Sequence, residues 1–499
     1  MKLNEAAALL PVKRLIGDGT IEITGLKIDS HLVQAGDLYL CAPTPPNLKF
    51  KDRHQFAGDA VANGAAALLC ERELDLNVPM LIVPDVRYAM AVIANQLYGY
   101  PSRELQVIGV TGTNGKTTTA HLIEHIVREQ GFRTGLMGSL GLKIGGETSE
   151  YEGNTPESPE LQRNFRRMID AKTDYCVMEV SSHGLQLGRV LGTRFRTAVF
   201  TNLTQDHLDF HVTMDGYREA KGLFFSRLGN EFSPDPKERK YAVLNADDPA
   251  SVYFASVTPA QVITYGIAGD ADVRADNIRM SARGMTFRVS SFAGVADMSL
   301  KLVGNFNVYN ALAAIAAALV EGIPLEHIRR SLETMPVVDG RMETIDEGQP
   351  FLVAVDYAHT PDGVENALST IKAFAEARII TVFGCGGDRD KTKRPIMGSI
   401  AARYSDYVFV TSDNPRTEDP EAILLDIEKG LQETDYPADR YELLADRREA
   451  IKKAIEMASP GDVVLIAGKG HETYQIIGGV SHHFDDREEA REAIRGRNE

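Results

Sequence analysis

The stretch QVIGVTGTNGKTTTAHLIEHI, residues 106–126, admits very few folds. Residues 106–110 are a short apolar run with β-branched side chains, the pattern of a buried strand. From Thr117 onward apolar residues return at Leu122, Ile123 and Ile126, as on one face of a helix. Gly112 and Gly115 lie between, where a tight backbone path can turn its N–H groups toward an anion, and Lys116 with Thr117 opens the helix whose N-terminus favours phosphate. Strand, glycine turn, Gly-Lys-Thr and helix in that order predict a phosphate loop for a nucleoside triphosphate. The spacing departs from the standard loop: Val110 stands five residues before Gly115, where a glycine is expected.

Around this loop the chain reads as α/β. Its 499 residues suggest about three domains, at 1–103, 104–335 and 336–499. The first is a small α/β domain with apolar runs at 38–41, 66–69 and 80–83, and Pro101 opens a linker into the loop. In the second, strand patterns at 134–137, 175–179, 197–201, 241–244 and 262–265 alternate with helices, which predicts a central parallel-sheet domain around the loop. Runs at 273–278, 285–289 and 298–302 predict an antiparallel appendage, followed by the Ala-rich helix of GNFNVYNALAAIAAAL. The third part restarts the alternation at 351–356, 379–383, 407–411 and 463–466, a second, Rossmann-like doubly wound domain, and only the terminal RGRNE reads as frayed.

Composition excludes several classes. No apolar run approaches the roughly 18 residues that a membrane span needs, and the N-terminal MKLNEAAALLPVKR lacks the pattern of a secretory signal. A formal charge of −16 opposes nucleic-acid or anionic-membrane binding. Cys41, Cys70, Cys176 and Cys385 have neither metal nor redox spacing, as expected of free thiols in the cytoplasm.

Ligands of a parallel sheet gather beyond the carboxyl ends of its strands, and polar clusters fall at such ends. Glu179 and His207, each just past a strand, are either ligands of a cation such as Mg²⁺ beside a triphosphate or hydrogen-bonded structural groups. Lys221 in GYREAKGLFF reads as a lysine that snorkels to water. Arg389 in GCGGDRD and Arg416 in SDNPR follow strands of the third part. They suit an acidic or zwitterionic small substrate, or else surface ion pairs.

Taken together, the motifs TGTNGKTT, MEVSSHGL, NLTQDHLDFH, YREAKGLFF, GNFNVYN, DGRME, VDYAHTPD, GGDRDKTKR, SDNPR and GKGHE resemble, in that order and across essentially the whole chain, those of the Mur ligase family of ATP-dependent amide ligases. The resemblance implies that Gly112, Thr113, Asn114, Gly115, Lys116, Thr117 and Thr118 hold the ATP phosphates, with Asn305 at the adenine and Arg341, Asp356 and His359 near the ribose and phosphates. It implies Thr117, Glu179, His207 and a carbamate formed from CO₂ on Lys221 as Mg²⁺ ligands, with Lys116, Lys221, Glu179 and His207 as the catalytic set. Ser30, Asn154, Thr155, Ser181 and Arg189 match positions that grip a UDP-muramoyl dipeptide. Arg389, the DNPR segment (Asp413, Asn414, Pro415 and Arg416), Gly468 and Glu472 match those that hold meso-diaminopimelate. The expected product is an amide formed through an acyl phosphate in peptidoglycan precursor synthesis, by a monomer with small-molecule substrates. A lysine-adding ligase, a folylpolyglutamate synthetase and a non-catalytic ATP-gated binding protein are the alternatives.

Overall fold

A computed structural model describes residues 1–44, 51–149, 154–281, 284–336 and 338–498. Among these residues the strands form five-, eleven- and six-stranded sheets and a two-stranded ribbon. Each large sheet is covered on both faces. In the strand Gln106–Thr111, Ile108 and Val110 pack into one core with Leu122, Ile123 and Ile126, while Val107 packs into the opposite core with Phe165 and Phe195. Side chains alternate across a strand, so a strand covered on both faces reads as a continuous apolar run rather than an alternating one.

The first sheet orders its strands Arg14–Ile16, Met80–Ile82, Ala67–Cys70, Asp37–Leu40 and Gly25–Lys27, parallel except for the first pair. The middle sheet has a parallel core, in spatial order Gln261–Gly266, Tyr241–Asn245, Phe195–Phe200, Gln106–Thr111, Tyr175–Glu179 and Thr134–Gly138. Gln106–Thr111 lies between Phe195–Phe200 and Tyr175–Glu179, with chain connections leaving to either side. That makes its carboxyl end the topological switch point, where a crevice must open. The six-stranded sheet runs Glu343–Ile345, Leu352–Asp356, Val463–Ala467, Ile379–Phe383, Tyr407–Thr411 and Tyr441–Leu444, parallel after its first pair. There the last parallel strand in sequence, Val463–Ala467, inserts between the first two, so a second crevice opens at Asp356 and Gly468.

Three expectations need correction. The predicted appendage is continuous with the middle sheet: Val273–Ser281 pairs parallel with Gln261–Gly266 before Gly284–Ser291 and Gly294–Leu300 turn antiparallel. The Pro101 segment, expected as a linker, is a packed 3₁₀ turn, Pro101–Arg103, with Pro101 and Ser102 buried. Residues 495–498 of the terminal RGRNE are helical rather than frayed, and Glu499 lies outside the described residues. The helix Asp486–Asn498 carries Arg495, whose Nε donates to Glu347 Oε2 at 2.9 Å, and Arg497, whose Nη1 donates to Ile455 O at 2.6 Å.

Candidate active site

The phosphate loop emerges at the switch point, and its two glycines are needed there for space as well as for backbone angle. At Gly112, φ is +154° and a Cβ would lie 1.8 Å from Thr201 Oγ1; at Gly115, φ is +83° and a Cβ would lie 2.3 Å from Asn310 Oδ1. The loop is held from outside by the next strand end. Asn202 Oδ1 accepts from Asn114 N at 2.9 Å, and Thr201 Oγ1 donates to Asn114 O at 2.6 Å. Lys116 folds back on the loop, its Nζ donating to Gly112 O at 3.0 Å and Thr113 O at 2.7 Å. Burial lowers the Lys116 pKa.

Thr117 and Glu179 converge beside the loop. Thr117 Oγ1 donates to Glu179 Oε1 at 3.0 Å, and the same carboxylate oxygen accepts from Ser139 N at 2.8 Å. A hydroxyl and a carboxylate oxygen at a phosphate loop fit a hard divalent cation such as Mg²⁺. Across the cleft Arg341 donates to Thr117 Oγ1 at 2.9 Å and lies 4.5 Å from the centroid of the Tyr357 ring. Among the described residues no cluster of three His, Cys, Asp or Glu side chains gathers at metal-binding geometry. His207, at φ +55°, faces Asp206, with Nε2 3.3 Å from Oδ2, and burial holds its pKa well below the usual histidine value.

Lys221 does not snorkel. It is buried, its Nζ donates to Gly112 O at 2.8 Å, and it lies 4.5 Å from the centroid of the Tyr217 ring. Burial, and then the charge of Lys116, push its pKa well down, which favours the neutral amine. The aromatic residues around it, read as a sign of a surface lysine, instead close the pocket.

The loop, Asn305, Glu179, His207, Arg341, Asp356 and His359 line one cleft of about 490 Å³ together with Arg389, Asp413, Asn414, Arg416, Gly468 and Glu472. Asp356 is fixed by Met342 N and Ala358 N, each donating at 2.8 Å, and burial raises its pKa. Glu472 accepts from Asn414 Nδ2 at 2.8 Å and Lys469 Nζ at 3.1 Å; burial and the neighbouring Asp413 raise its pKa. Arg416 Nη1 donates to Gly387 O at 2.8 Å. Burial, and then the charge of Arg416, lower the pKa of Arg389. Two arginines held close in a cleft lined by acids would bind a ligand that carries both charges. Pro415 belongs to the same segment without lining the cleft.

Asn154 lines the cleft too, and Thr155, Ser181 and Arg189 cluster behind it. Thr155 Oγ1 donates to Glu179 O at 3.1 Å and accepts from Ser181 N at 2.9 Å, and Arg189 Nη1 donates to Thr155 O at 3.0 Å. Ser30 is not brought to this cleft; it opens the turn Ser30–Leu32 beside the first sheet, and its carbonyl accepts from Asn63 Nδ2 at 2.9 Å. Thr201, Asn202 and Asp206, a polar cluster at a strand end, also line the cleft, as do Ser139, Asp362 and Lys393, which the sequence did not single out. Ser139 follows the strand Thr134–Gly138 without any glycine or charge pattern of its own, whereas Asp362 and Lys393 lie inside the motifs VDYAHTPD and GGDRDKTKR, whose individual members local sequence does not rank.

A phosphate loop at the switch point of one parallel sheet, facing paired arginines and acids at the strand ends of another, defines a nucleotide-using enzyme with a second, charged substrate. Comparison with known proteins gives the family. Residues 110–318 match the Mur ligase middle domain, and residues 340–470 match the Mur ligase glutamate ligase domain. The chain is 50% identical over 497 residues to the UDP-N-acetylmuramoyl-L-alanyl-D-glutamate--2,6-diaminopimelate ligase of Geobacillus thermodenitrificans, covering 100% of both chains. It is 48% identical over 494 residues to the enzyme of that name from Listeria monocytogenes serotype 4b, covering 99% of each. A solved structure of a ligase of that name superposes with a TM-score of 0.67 at 34% identity, covering 100% of this chain and 99% of the other. This chain belongs to the Mur ligase family.

Proposed function

We propose that the protein joins meso-diaminopimelate to the γ-carboxylate of UDP-N-acetylmuramoyl-L-alanyl-D-glutamate, converting ATP to ADP and phosphate. The observation that carries this reading is the shared cleft, with phosphate-loop residues on one wall and Arg389, Asn414, Arg416 and Glu472 on the other. A carboxylate is a poor electrophile, so the D-glutamyl carboxylate first attacks the ATP γ-phosphorus and becomes an acyl phosphate as ADP leaves. Lys116 and the loop N–H groups offset charge on the transferring phosphoryl group. The diaminopimelate amine then attacks the acyl carbon, its proton is lost, and phosphate departs. Arg416 and Arg389 hold a carboxylate of the incoming amino acid, and Glu472 and Asp413 its distal ammonium.

Thr117, Glu179 and His207 would hold Mg²⁺, which supplies charge neutralisation at the phosphates when bound. Lys221 is read as the carbamylated ligand. A neutral amine is the form that adds to CO₂, giving a carbamate and a released proton, and burial keeps Lys221 in that form. The three-part division at 1–103, 104–335 and 336–499 assigns nucleotide-sugar binding to the first part, ATP to the second and the amino acid to the third. Ser30 would then reach the substrate from the first part, with Asn154, Thr155, Ser181 and Arg189 supporting its muramoyl end. The protein would work as a cytoplasmic monomer; no helix among the described residues is long and apolar enough to cross a membrane.

The test is phosphate release with ATP and the UDP-muramoyl dipeptide, supplied in turn with meso-diaminopimelate, L-lysine or L-glutamate, and mass spectrometry of the product. Turnover with meso-diaminopimelate alone, lost in Lys116→Ala, is expected. Equal use of lysine, or release that Lys116→Ala leaves intact, refutes the reading.

A further inference from the structure

The loop after the strand Phe195–Phe200 and the loop after the strand Ile379–Phe383 meet across the cleft. Gln205 Nε2 donates to Thr392 Oγ1 at 3.1 Å, and Asp209 lends its charge to Arg389. Between these contacts lie Asp206 and Lys393, whose side chains are 8% and 6% exposed, with Nζ 4.0 Å from Oδ1. Lys393 is anchored on its own side, its Nζ donating to His359 O at 2.8 Å.

Asp206 contacts its neighbour twice. Oδ1 accepts from His207 N at 2.9 Å and Oδ2 lies 3.3 Å from His207 Nε2, so one carboxylate holds both the backbone turn and the ring. The turn is left-handed, at φ +55°, a conformation that a non-glycine residue keeps only when its surroundings enforce it. A buried carboxylate needs compensation. Lys393 supplies it from the six-stranded-sheet side, and the competing cation on the middle-sheet side is Lys116, which feels the Asp206 charge.

We infer that Asp206 is a positioning residue whose hold on His207 depends on Lys393, so that seating the third part of the chain against the second completes the cation site. With Lys393 withdrawn, Asp206 turns toward Lys116 and releases the imidazole. Cation affinity and seating are thereby one equilibrium, and the cation is bound tightly only in the arrangement that also brings Arg389 and Arg416 to the acyl group. This rests on reading His207 as a cation ligand.

The test is Mn²⁺ binding to the full chain with a non-hydrolysable ATP analogue, followed by the electron paramagnetic resonance signal of free Mn²⁺. Asp206→Asn, nearly isosteric, is expected to weaken Mn²⁺ binding by about 10–100-fold, as loss of a partner to a metal-ligating histidine does. Lys393→Met weakens it in the same direction, and the double variant binds no worse than Asp206→Asn alone. Binding of the UDP-muramoyl dipeptide stays at the wild-type level, a readout that general loss of structure would move. Wild-type Mn²⁺ affinity in either single variant, or effects that simply add, overturns the inference. His207→Ala separates the two layers. If it leaves Mn²⁺ affinity unaltered, the ligand reading itself fails; if it alone weakens binding, only the link through Asp206 fails.

Discussion

Beneath the strand ends of the six-stranded sheet lies a fully buried ion pair, Arg447 with Asp486, both side chains 0% exposed. The pairing is bidentate, Nε to Oδ1 and Nη2 to Oδ2, each at 2.7 Å. Nη2 also donates to Ala467 O at 3.0 Å and Nη1 to Ser412 O at 3.4 Å. Those carbonyls immediately precede Gly468 and Asp413, so the pair braces the segments assigned to the amino acid. Asp486→Ala strands a guanidinium in the interior, a loss worth about 3–5 kcal/mol. For a sheet unit of this size that is roughly 6–20 °C of thermal midpoint. Replacing both partners, Arg447→Met with Asp486→Leu, removes the stranded charge and recovers much of the stability. It does not restore the donors to Ser412 and Ala467. The double variant is therefore expected to melt above Asp486→Ala yet show a raised KM for diaminopimelate and an unchanged KM for ATP. Calorimetry with steady-state kinetics reads both. A loss below about 1 kcal/mol in Asp486→Ala, the range of an exposed pair, or a double variant no more stable than the single, refutes the reasoning.

Arg416→Ala should cut kcat/KM for diaminopimelate by about 10–100-fold, as expected for about 1.5–3 kcal/mol of lost charged hydrogen bonding, with the KM for ATP unchanged; equal losses for both substrates count against the assignment. Lys221→Ala should lose nearly all turnover and regain part of it with a short-chain carboxylic acid, which replaces the carbamate oxygens; normal turnover without the acid excludes the role. Acid should destabilise the protein through its buried histidines. His211, His359 and His471 are held down by burial to about 3, about 4 and about 3, against an ordinary 6.5. The unfolded chain therefore binds protons first as pH falls below 6.5, and stability present above that value is lost toward pH 4, by up to about 2 kcal/mol per histidine between pH 7 and 5. Urea midpoints that do not move over this interval contradict the assignment of these rings as buried and neutral.

Much of the architecture was legible because strands covered on both faces leave uninterrupted apolar runs: 175–179, 379–383 and 407–411 coincide with Tyr175–Glu179, Ile379–Phe383 and Tyr407–Thr411. The off-pattern Val110 has its explanation in the same place. The strand continues to Thr111, so position 110 is still inside the sheet, paired with Glu179 and Val199 and fully buried, and the loop proper begins two residues later than in the standard spacing. Short edge elements such as Gly141–Ile144, Glu147–Ser149 and Tyr441–Leu444 were not legible, since their side chains are only partly covered and carry little hydrophobic pattern. Lys221 shows the limit for single residues. Local sequence gave a lysine among aromatic residues, and only tertiary packing decides whether those rings cover the amine or leave it a route to water. The pairing of Asp206 with Lys393 was not legible for a related reason: it is a contact between residues far apart in the chain.

One backbone oxygen links the loop chemistry to Lys221. Gly112 O accepts from both Lys116 Nζ and Lys221 Nζ, at 3.0 and 2.8 Å. Two ammonium groups sharing one carbonyl in a dry pocket repel each other, and each pKa is lowered by burial, Lys221's further by Lys116. A triphosphate entering the loop offers Lys116 a fully charged partner, which draws its ammonium off the carbonyl and keeps it protonated. Lys221 keeps Gly112 O as its acceptor, and burial with the Lys116 charge favours its neutral form. The same pocket thus sets two identical side chains apart, Lys116 toward phosphate and Lys221, in the proposed reading, toward CO₂. The glycine at 112 makes that possible, because no side chain fits between Thr201 and the carbonyl that both lysines reach.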